Sequence, residues 1–542
     1  MGDSQHSNLR SSRELQAAAV VAAALLAAYM VTLAPGVTYW DAGEFLAAIK
    51  TLGIPHPPGT PLFILVANVW SRIFGPAVGF AYSVNLLSAI STTLACGMFA
   101  WLMARWTSRP LASVAGGLCA GLMSSVWMNA NETEVYSPSL LFCILLLLIA
   151  QKAAETRQWK WFLLFAYLCG LAWSLQLSAL LSAPAALVLA LGLTRDGWLS
   201  RPRGPVPARG FLDSAGTMLI LALLGASATL FMIVRARHDP AINQGNPATW
   251  HALMDVITRR QYMPVPMIPR QAPWYIQLGN MFEYSDWQVA LGFAPNAPPS
   301  LLRTPFTLVF AMLGIAGFLS HRRVDAQSWR VMLVLFITAT IGVVAYLNMK
   351  ASPSFGYGFL PVNAKHEARE RDYFFALGFA CWGMWAGTGA VRLFARLGTR
   401  LRFAGVAVAA LPFFLNFSAT DRAHGPEAKA PLDSARRILI PAPRNAVVFA
   451  YGDNDTYPVW YAQQVEGLRL DVTTVTIPLL GAEWYRAELG RRHKLLTDDY
   501  VTNWRGLGAT MSQICTPARS LGRPVIAKSV ADRPPIPAAC SN

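Results

Sequence analysis

The first 420 residues of the chain consist of long apolar runs separated by short polar connections. A helix that crosses a bilayer needs about 20 mostly apolar residues. The run at 161–194 is too long for one helix at about 1.5 Å of rise per residue, and Leu177-Ser178 near its middle marks a turn. The pattern therefore predicts about eleven membrane spans. The apolar runs lie near 15–40, 73–104, 110–131, 135–151, 161–194, 214–234, 304–320, 331–349, 373–391 and 403–420.

The start of the chain has features of a secretory signal, because Arg10 and Arg13 precede an apolar stretch. This stretch is longer than the core of a typical signal, and many further apolar runs follow it. We therefore predict that the first run is an uncleaved membrane anchor.

Lys and Arg are concentrated in alternate connections, and few acids accompany them. Cytoplasmic connections carry such an excess, so this side is predicted to be cytoplasmic. The other side then holds the segments 36–72, 236–303 and 348–372, a short turn at 129–136, and all residues after 420. In a bacterium this predicts an inner-membrane protein with a cytoplasmic amino terminus. The roughly 18 cytoplasmic basic residues are Arg10, Arg13, Arg105, Arg109, Lys152, Arg157, Lys160, Arg195, Arg201, Arg203, Arg209, Arg322, Arg323, Arg330, Arg392, Arg396, Arg400 and Arg402.

Residues 421–542 have a different pattern and are predicted to form a separate periplasmic domain. Apolar stretches at 446–451 and 471–477 are typical of buried strands, and 457–465 and 482–489 are typical of helices. This order predicts a small α/β domain with parallel strand pairing. In an oxidising compartment, its two cysteines, Cys515 and Cys540, could form a disulfide.

The composition supports a membrane protein. Of the 542 residues, 54% are hydrophobic and 14% are charged, and the mean hydropathy is +0.37. A soluble protein carries roughly 25% charged residues, so a water-soluble enzyme is excluded as a description of the whole chain. The net charge of +16 lies largely in short connections without interleaved aromatic residues, so no nucleic-acid partner is predicted.

The strongest polar cluster follows the first run, where Asp41 and Glu44 lie three residues apart among aromatic residues. If Asp41 begins a helix, both carboxylates share one face of it. Burial beside apolar groups would raise the pKa of a carboxylate toward that of a useful general base. A capping box, with Asp41 as the N-cap and Glu44 three positions later, explains the same residues without catalysis.

A proline-rich segment follows on the same side of the membrane. Residues 53–61 read Gly-Ile-Pro-His-Pro-Pro-Gly-Thr-Pro, and the prolines restrict φ enough to hold a rigid loop over the acidic pair. Within this loop His56 either binds a phosphate or caps a turn.

A second acidic group lies in the turn between two apolar runs on the same side. It contains Glu132 and Glu134, followed by Tyr136. Two carboxylates at this depth are costly unless the site is wet or basic groups pair with them. A helix cap accounts for one of them more easily than for both, so we predict that these residues contact a substrate.

Basic residues on the outer side run against the usual charge distribution. A phosphate head group at the membrane surface would account for them. Mutual pairing is the alternative, because residues 369–372 alternate in sign. The residues concerned are Lys365, His366, Arg369 and Arg371 before one span, and Arg259 and Arg260 in the long loop.

The last polar motif, Gly-Asp-Asn-Asp-Thr at 452–456, follows the first predicted strand of the carboxy-terminal domain. Open α/β sheets bind ligands at the carboxyl ends of their strands, so Asp453 and Asp455 are candidates for binding a sugar or a cation. A turn with a helix cap explains the same residues.

Four motifs that would indicate other chemistries are absent where they would count. These are the serine nucleophile elbow, the P-loop, the HExxH zinc site and the dinucleotide-binding glycine fingerprint. Catalysis driven by cytoplasmic ATP is therefore not expected.

Four motifs together resemble a bacterial membrane family whose animal relative is the transmembrane O-mannosyltransferase of plexin-type receptor ectodomains. They are Asp-Ala-Gly-Glu-Phe at 41–45 with the proline-rich loop, Glu-Thr-Glu-Val-Tyr-Ser at 132–137, Glu-Arg-Asp-Tyr-Phe-Phe at 370–375 and Gly-Asp-Asn-Asp-Thr-Tyr-Pro-Val-Trp-Tyr-Ala-Gln at 452–463. They occur in the family's order and cover the chain from about residue 39 to 485.

The resemblance implies a GT-C type glycosyltransferase with a polyprenyl-phosphate sugar as donor. By the same likeness Asp41 is the candidate general base and Glu44 its partner, and mannose is favoured as the sugar through the animal relative. We predict transfer to an acceptor hydroxyl in the periplasm, with a protein as first choice, and inversion at the sugar. No further cofactor and no metal ligand are predicted, and a divalent-metal requirement stays open.

The alternative is a transporter or flippase for a lipid-linked sugar, which predicts charges inside the spans. Here the charges gather in one set of external loops instead. A scaffold that displays the tail is a third possibility. A lipid or glycan acceptor is as open as a protein one, and the oligomeric state is not predicted.

Overall fold

A computed structural model describes residues 2–192, 210–263, 265–295, 298–356, 360–361, 363–527, 537 and 540. Four of the basic residues assigned to a cytoplasmic connection, Arg195, Arg201, Arg203 and Arg209, lie outside the described residues.

The membrane part is helical, as predicted. Within the described residues, nine helices are long and apolar enough to cross a membrane, and a bent pair would make ten. The nine are Ser12–Thr32, Pro61–Val78, Phe80–Thr107, Tyr136–Thr156, Ala215–Ala236, Thr304–Val324, Ala326–Leu347, Asp372–Leu397 and Arg402–Thr420, and the pair is Pro110–Leu122 with Ser124–Ala130, bent by 70°. Further helices are Ala42–Thr51, Trp159–Leu175, Ala183–Leu191, Trp250–Ile257 and Trp274–Ala290.

One stretch differs from the pattern-based prediction. Pro61–Val78 is a span-length helix, although most of it was assigned to the external segment 36–72. Arg72 interrupts the apolar run there, and Gly79, at φ +92°, separates this helix from the next by one residue. The pattern consequently merged the end of one helix with its neighbour. The turn predicted at Leu177-Ser178 is confirmed, because the helices on either side are separated there by a 3-10 turn, Leu177–Leu180.

Small residues allow close packing in the centre of the bundle. A Cβ on Gly387, in the Asp372–Leu397 helix, would lie 2.2 Å from the carbonyl oxygen of Ala115 in the Pro110–Leu122 helix. Lipid is as apolar as the helix surfaces, so the hydrophobic effect does not drive helices together in a bilayer. Close contacts between backbones stabilise the packing of the helices instead.

A buried polar hub connects the ends of three helices beneath the site. The indole of Trp127 and the amide of Asn131 both donate to the hydroxyl of Thr32, each at 2.9 Å. Asn131 also donates to the carbonyl oxygen of Thr420 at 2.7 Å. The hub holds the first span, the bent pair and the last span in one arrangement.

The carboxy-terminal part is an α/β domain, which confirms the predicted class. Its sheet has three parallel strands, β1 (Val447–Ala450), β2 (Thr473–Thr476) and β3 (Val525–Ala527), in the order β2-β1-β3. Its helices include Ala430–Leu439, Asp453–Gln464, Glu483–His493, Asp498–Thr502 and Leu507–Ser520. Cys515 and Cys540 form a disulfide, the pairing that the sequence left open. The domain boundary at 420/421 stays a prediction, although the last span ends at Thr420.

Two sets of contacts attach this domain to the long loop at 236–303. Asp239 accepts hydrogen bonds from both terminal nitrogens of Arg491, at 2.6 and 2.7 Å, and also pairs with Arg492. Trp484 donates from its indole nitrogen to Gln261 at 3.1 Å. The α/β domain therefore lies against the loop at 236–303, which carries the candidate residues Arg259 and Arg260.

Candidate active site

Glu44 is completely buried and accepts hydrogen bonds from two other segments. The backbone N–H and Nδ1 of His56 lie 2.7 and 2.5 Å from its two carboxylate oxygens, and the side-chain amide of Gln244 donates to it as well. Residues 242–244 are held in place by backbone bonds to Ile54, at 2.8 and 2.9 Å. The proline-rich loop thus places His56 directly on the acidic pair, as its position in sequence suggested.

Asp41 precedes the Ala42–Thr51 helix but its side chain makes no capping hydrogen bond. The carboxylate instead forms a bidentate pair with Arg369, with N–O distances of 3.0 and 2.8 Å. This geometry removes the capping box as the reason for Asp41. It also argues against mutual pairing within residues 369–372 for Arg369, because its partner Asp41 lies in a distant segment.

The two carboxylates differ in their electrostatics. Burial raises the pKa of Glu44, and the opposing charge of His56 does not fully offset it. Burial also disfavours ionised Asp41, but the positive charges of His56 and Arg369 outweigh it and lower the pKa of Asp41. Burial lowers the pKa of His56, yet the charges of Glu44 and Asp41 raise it to about 9. The site therefore holds an ionised Asp41 and a charged imidazolium at neutral pH.

Aromatic rings surround Arg369. Its guanidinium lies 5.4 Å from the ring centroid of Trp40 and 5.2 Å from that of Tyr373, and its Nε donates to the Tyr373 hydroxyl at 3.0 Å. Tyr136 packs against Tyr373 and Phe374, with centroid distances of 4.7 and 5.5 Å. The predicted Tyr136 is thereby brought to the site through Tyr373.

The second acidic turn lies next to Asp41. Glu132 lies 3.9 Å from Arg422. For Glu134, the loss of surrounding water and the charges of Asp41 and Glu132 raise the pKa well above its ordinary value. The charge of Asp41 therefore acts on both predicted carboxylates, Glu132 and Glu134.

The basic residues predicted to be external fall into four groups. Arg371 reaches the Tyr373 hydroxyl at 3.3 Å and Glu367 at 3.8 Å, so it lies beside Arg369. Arg260 pairs with Asp255 at 3.1 Å on an exposed surface.

Lys365 and His366 belong to the loop that precedes Arg369. Lys365 is exposed, and Nδ1 of His366 lies 2.7 Å from the carbonyl oxygen of Ser352. For Lys365, no hydrogen bond or ion pair to Asp41 or Glu44 occurs among the described residues.

Arg259 lines an apolar cavity of about 310 Å³ near the site. The cavity is formed by the turn at Leu177–Leu180, the end of the Ala326–Leu347 helix and Phe374, which neighbours Tyr373. Arg259 makes no ion pair within the described part of the chain. The cavity combines an apolar wall with a cation, as an anionic lipid requires.

The carboxy-terminal motif also reaches the site. The Asp453–Gln464 helix begins directly after Gly452, four residues earlier than the predicted helix, and Asn454 accepts a hydrogen bond from the backbone N–H of Trp40 at 2.8 Å. Asp453 is exposed beside it, whereas Asp455 is buried. A Cβ on Gly43 would lie 2.5 Å from the carbonyl oxygen of Tyr457, so this glycine permits the two helices to touch.

Three contributors were not identified from sequence. Gln244 lies outside every motif, and only its hydrogen bond to Glu44 in the folded chain identifies it as part of the site. Trp40 directly precedes the motif at 41–45 and Tyr373 lies inside the motif at 370–375, and an aromatic residue beside a candidate charge was the available signal. In the regions described, no group of three or more His, Cys, Asp or Glu side chains could hold a metal ion.

These features define the class of protein: a polytopic helical membrane protein in which the segments between the spans and the α/β domain together build a buried acid-base cluster. The description "Protein O-mannosyl-transferase TMEM260 N-terminal domain" belongs to the family model that matches residues 41–196, and "TMEM260-associated domain 2" matches residues 431–495. Both matches confirm the family resemblance that the motifs predicted.

Curated relatives carry the same description. The chain is 33% identical to "Protein O-mannosyl-transferase TMEM260" of Mus musculus over 148 residues, which is 27% of this chain and 20% of that protein. It is 24% identical to "Protein O-mannosyl-transferase tmem260" of Dictyostelium discoideum over 122 residues, 22% of this chain and 15% of that protein. The chain thus spans a fifth or less of the length of these relatives.

Two solved structures were found to be similar to the chain. ArnT from Cupriavidus metallidurans bound to undecaprenyl phosphate is 15% identical, with a TM-score of 0.43, over 84% of this chain and 90% of that chain. The apo oligosaccharyltransferase of Archaeoglobus fulgidus is 12% identical, with a TM-score of 0.49, over 87% of this chain and 66% of that chain.

Proposed function

We propose that this protein is a membrane glycosyltransferase that moves a sugar, with mannose favoured, from a polyprenyl-phosphate donor to an acceptor hydroxyl. A protein is the first choice of acceptor. The pair formed by Asp41 and Arg369 carries the proposal, because it places a base and a phosphate-binding cation within 3.0 Å of each other. The matching family models and the names of the curated relatives support it.

The chemistry requires two services from the protein. A carboxylate accepts the proton of the acceptor hydroxyl while the oxygen of that hydroxyl bonds to the anomeric carbon of the sugar. The bond between that carbon and the phosphate oxygen breaks, and its electron pair leaves with the lipid phosphate, whose charge a cation stabilises. This single displacement inverts the anomeric configuration.

Asp41 and Arg369 fit these two roles together. A donor phosphate competes with Asp41 for Arg369, since guanidinium binds carboxylate and phosphate in the same bidentate way. When Arg369 turns toward the phosphate, its positive charge moves away from Asp41. The pKa of Asp41 then rises, and Asp41 becomes a stronger base. Binding of the donor would thus activate Asp41. Glu44 and His56 hold the rest of the cluster in place.

The lipid part of the donor requires an apolar surface that is continuous with the site. The cavity of about 310 Å³ meets this need, since it is mainly apolar, holds Arg259 and includes Phe374 beside Tyr373. No further cofactor enters the proposed reaction. The predicted periplasmic position of the site and the inner-membrane location of the chain are part of the proposal.

The test is sugar transfer by membranes that contain the full chain. Radiolabelled polyprenyl-phosphate mannose and polyprenyl-phosphate glucose serve as donors, with periplasmic protein and membrane extracts as acceptors. We expect label in a protein fraction with the wild type and at least a hundredfold less with Asp41→Asn. Asp433→Asn is the matched control, because Asp433 is exposed and lies in the carboxy-terminal domain.

Three results would overturn parts of the proposal. Equal transfer by wild type and Asp41→Asn would remove Asp41 from catalysis. Movement of labelled lipid across the membrane without transfer to any acceptor would favour a flippase. Retention of the anomeric configuration in the product, measured by NMR, would exclude the single displacement.

A further inference from the structure

Trp40 is an unusual residue at the mouth of the site. Its φ is +62°, in the left-handed region that bulky side chains rarely adopt, and 45% of the residue is exposed. The hydrogen bond from its backbone N–H to Asn454 holds this conformation. Strain that the surrounding contacts stabilise is common at functional sites.

The position of the Trp40 ring is fixed on one side. The guanidinium of Arg369 lies 5.4 Å from the ring centroid, and Arg369 is in turn held by both oxygens of Asp41. The exposed part of the ring is therefore available beside the cation that would bind a phosphate.

Asp453 supplies a carboxylate at the same mouth. It precedes Asn454, the residue bound to Trp40, and it is exposed. Within the described structure, its side chain forms no hydrogen bond or ion pair. Its neighbour Asn454 accepts the hydrogen bond of the Trp40 backbone, so Asp453 adjoins the segment that leads directly into Asp41.

An aromatic ring beside a carboxylate suits a hexose. The C–H bonds of a pyranose form an apolar face that packs on an indole ring, and neighbouring hydroxyls on its rim can donate to the two oxygens of one carboxylate. The sugar of the donor is joined to its phosphate, so it must lie next to Arg369 when that residue binds the phosphate. Trp40 lies against Arg369, and Asp453 adjoins the residue that binds the Trp40 backbone, so both are placed to meet that sugar.

We propose that Trp40 and Asp453 form the subsite for the hexose of the donor, with the ring packed on its apolar face and the carboxylate accepting its hydroxyls. This inference rests on the proposed function, which supplies the donor class. It also gives the α/β domain a direct part in substrate binding, because Asp453 and Asn454 both belong to that domain.

The test measures binding, so it does not depend on turnover. Purified full-length protein in nanodiscs is titrated with polyprenyl-phosphate mannose, polyprenyl-phosphate glucose and polyprenyl phosphate without a sugar. We expect the wild type to bind at least one sugar-bearing lipid more tightly than the bare lipid phosphate. Trp40→Ala and Asp453→Asn should each weaken that binding about tenfold and change the affinity for polyprenyl phosphate less than twofold.

Matched variants separate recognition from folding. Trp40→Tyr keeps an aromatic face and should retain most of the affinity for the sugar-bearing lipid. Asp498→Asn removes an exposed carboxylate from the start of another helix in the same domain and should change nothing.

Three results would overturn the inference. They are equal weakening of all three lipids by either variant, no weakening by either variant, or a wild type that does not distinguish sugar-bearing lipid from bare lipid phosphate. If the wild type distinguishes them and the variants do not, but no acceptor is ever labelled, then the subsite stands and the proposed transfer fails.

Discussion

Asp41 and Arg369 are 328 positions apart, and each oxygen of the Asp41 carboxylate accepts one hydrogen bond from the Arg369 guanidinium. The pair joins the segment after the first span to the segment before the Asp372–Leu397 helix. A planar guanidinium is needed for such a bidentate contact, which the ammonium group of lysine cannot reproduce.

Arg369→Lys keeps the charge and loses the fork geometry. We therefore expect sugar transfer to fall about 10- to 100-fold, because both the orientation of Asp41 and the support of the leaving phosphate weaken. The measurement is the initial rate at saturating donor, with Arg436→Lys as the control on the exposed face of the carboxy-terminal domain. An unchanged rate would mean that only the positive charge matters.

His56 predicts a dependence of stability on pH. Its pKa in the folded protein is about 9, above the ordinary 6.5, because the charges of Glu44 and Asp41 favour the imidazolium. The stabilisation is therefore complete below about pH 6.5 and is lost as the pH rises through about 9. We expect Tm to fall over this interval in the wild type and to fall less in His56→Gln. A decrease of equal size in both would contradict the assignment.

Asp239 predicts a rescue by exchange of charges. Asp239→Lys places like charges opposite Arg491 and Arg492, so the α/β domain should dock less firmly and transfer should fall about tenfold. Adding Arg491→Glu and Arg492→Glu to this variant should restore most of the rate. The readouts are the transfer rate and the protection of the 430–542 region from limited proteolysis. Failure of the triple variant to recover either one would show that the ion pair does not control docking.

Gly43 predicts a steric effect with an internal control. A methyl group there would lie 2.5 Å from the carbonyl oxygen of Tyr457, which belongs to the backbone and cannot rotate away. Gly43→Ala should therefore separate the two helices and reduce transfer at least tenfold. Gly36→Ala should be neutral, because a Cβ on Gly36 meets nothing within 4 Å. Equal rates for the two variants would argue against close contact between the helices.

The disulfide between Cys515 and Cys540 predicts both a location and a loss of stability. In an oxidising compartment these two thiols should resist alkylation until a reductant is added. Replacing both by Ala should reduce the stability of the α/β domain by about 3 kcal/mol, through the entropy of the unfolded chain. Alkylation of both thiols in untreated cells would place the domain on the reducing side.

The sequence was informative where one segment carries the signal. The neighbouring positions of Asp41 and Glu44, the helical spans and the first two strands were all visible as local patterns. Arg369 was recognised as a candidate, but its partner was not, because nothing local connects it to a carboxylate 328 positions earlier. Gln244 was missed for the same reason, since only the folded chain brings it to Glu44.

Short elements were lost for a different reason. The strand Val525–Ala527 has three residues and the alternation of so short a stretch carries no reliable period. Its partner Val447–Ala450 is buried on both sides, so its apolar residues form an unbroken run that is easy to detect.

Residues 239–244 contact the α/β domain at one end and Glu44 at the other. Asp239 and the carbonyl oxygen of Pro240 bind Arg491 and Arg492, and four residues later Gln244 donates to Glu44. These six residues belong to the membrane part by sequence and to both parts by contact. A chimera that exchanges the carboxy-terminal domain between relatives must therefore carry this segment with it, or the transplanted domain will meet a loop that fits a different partner.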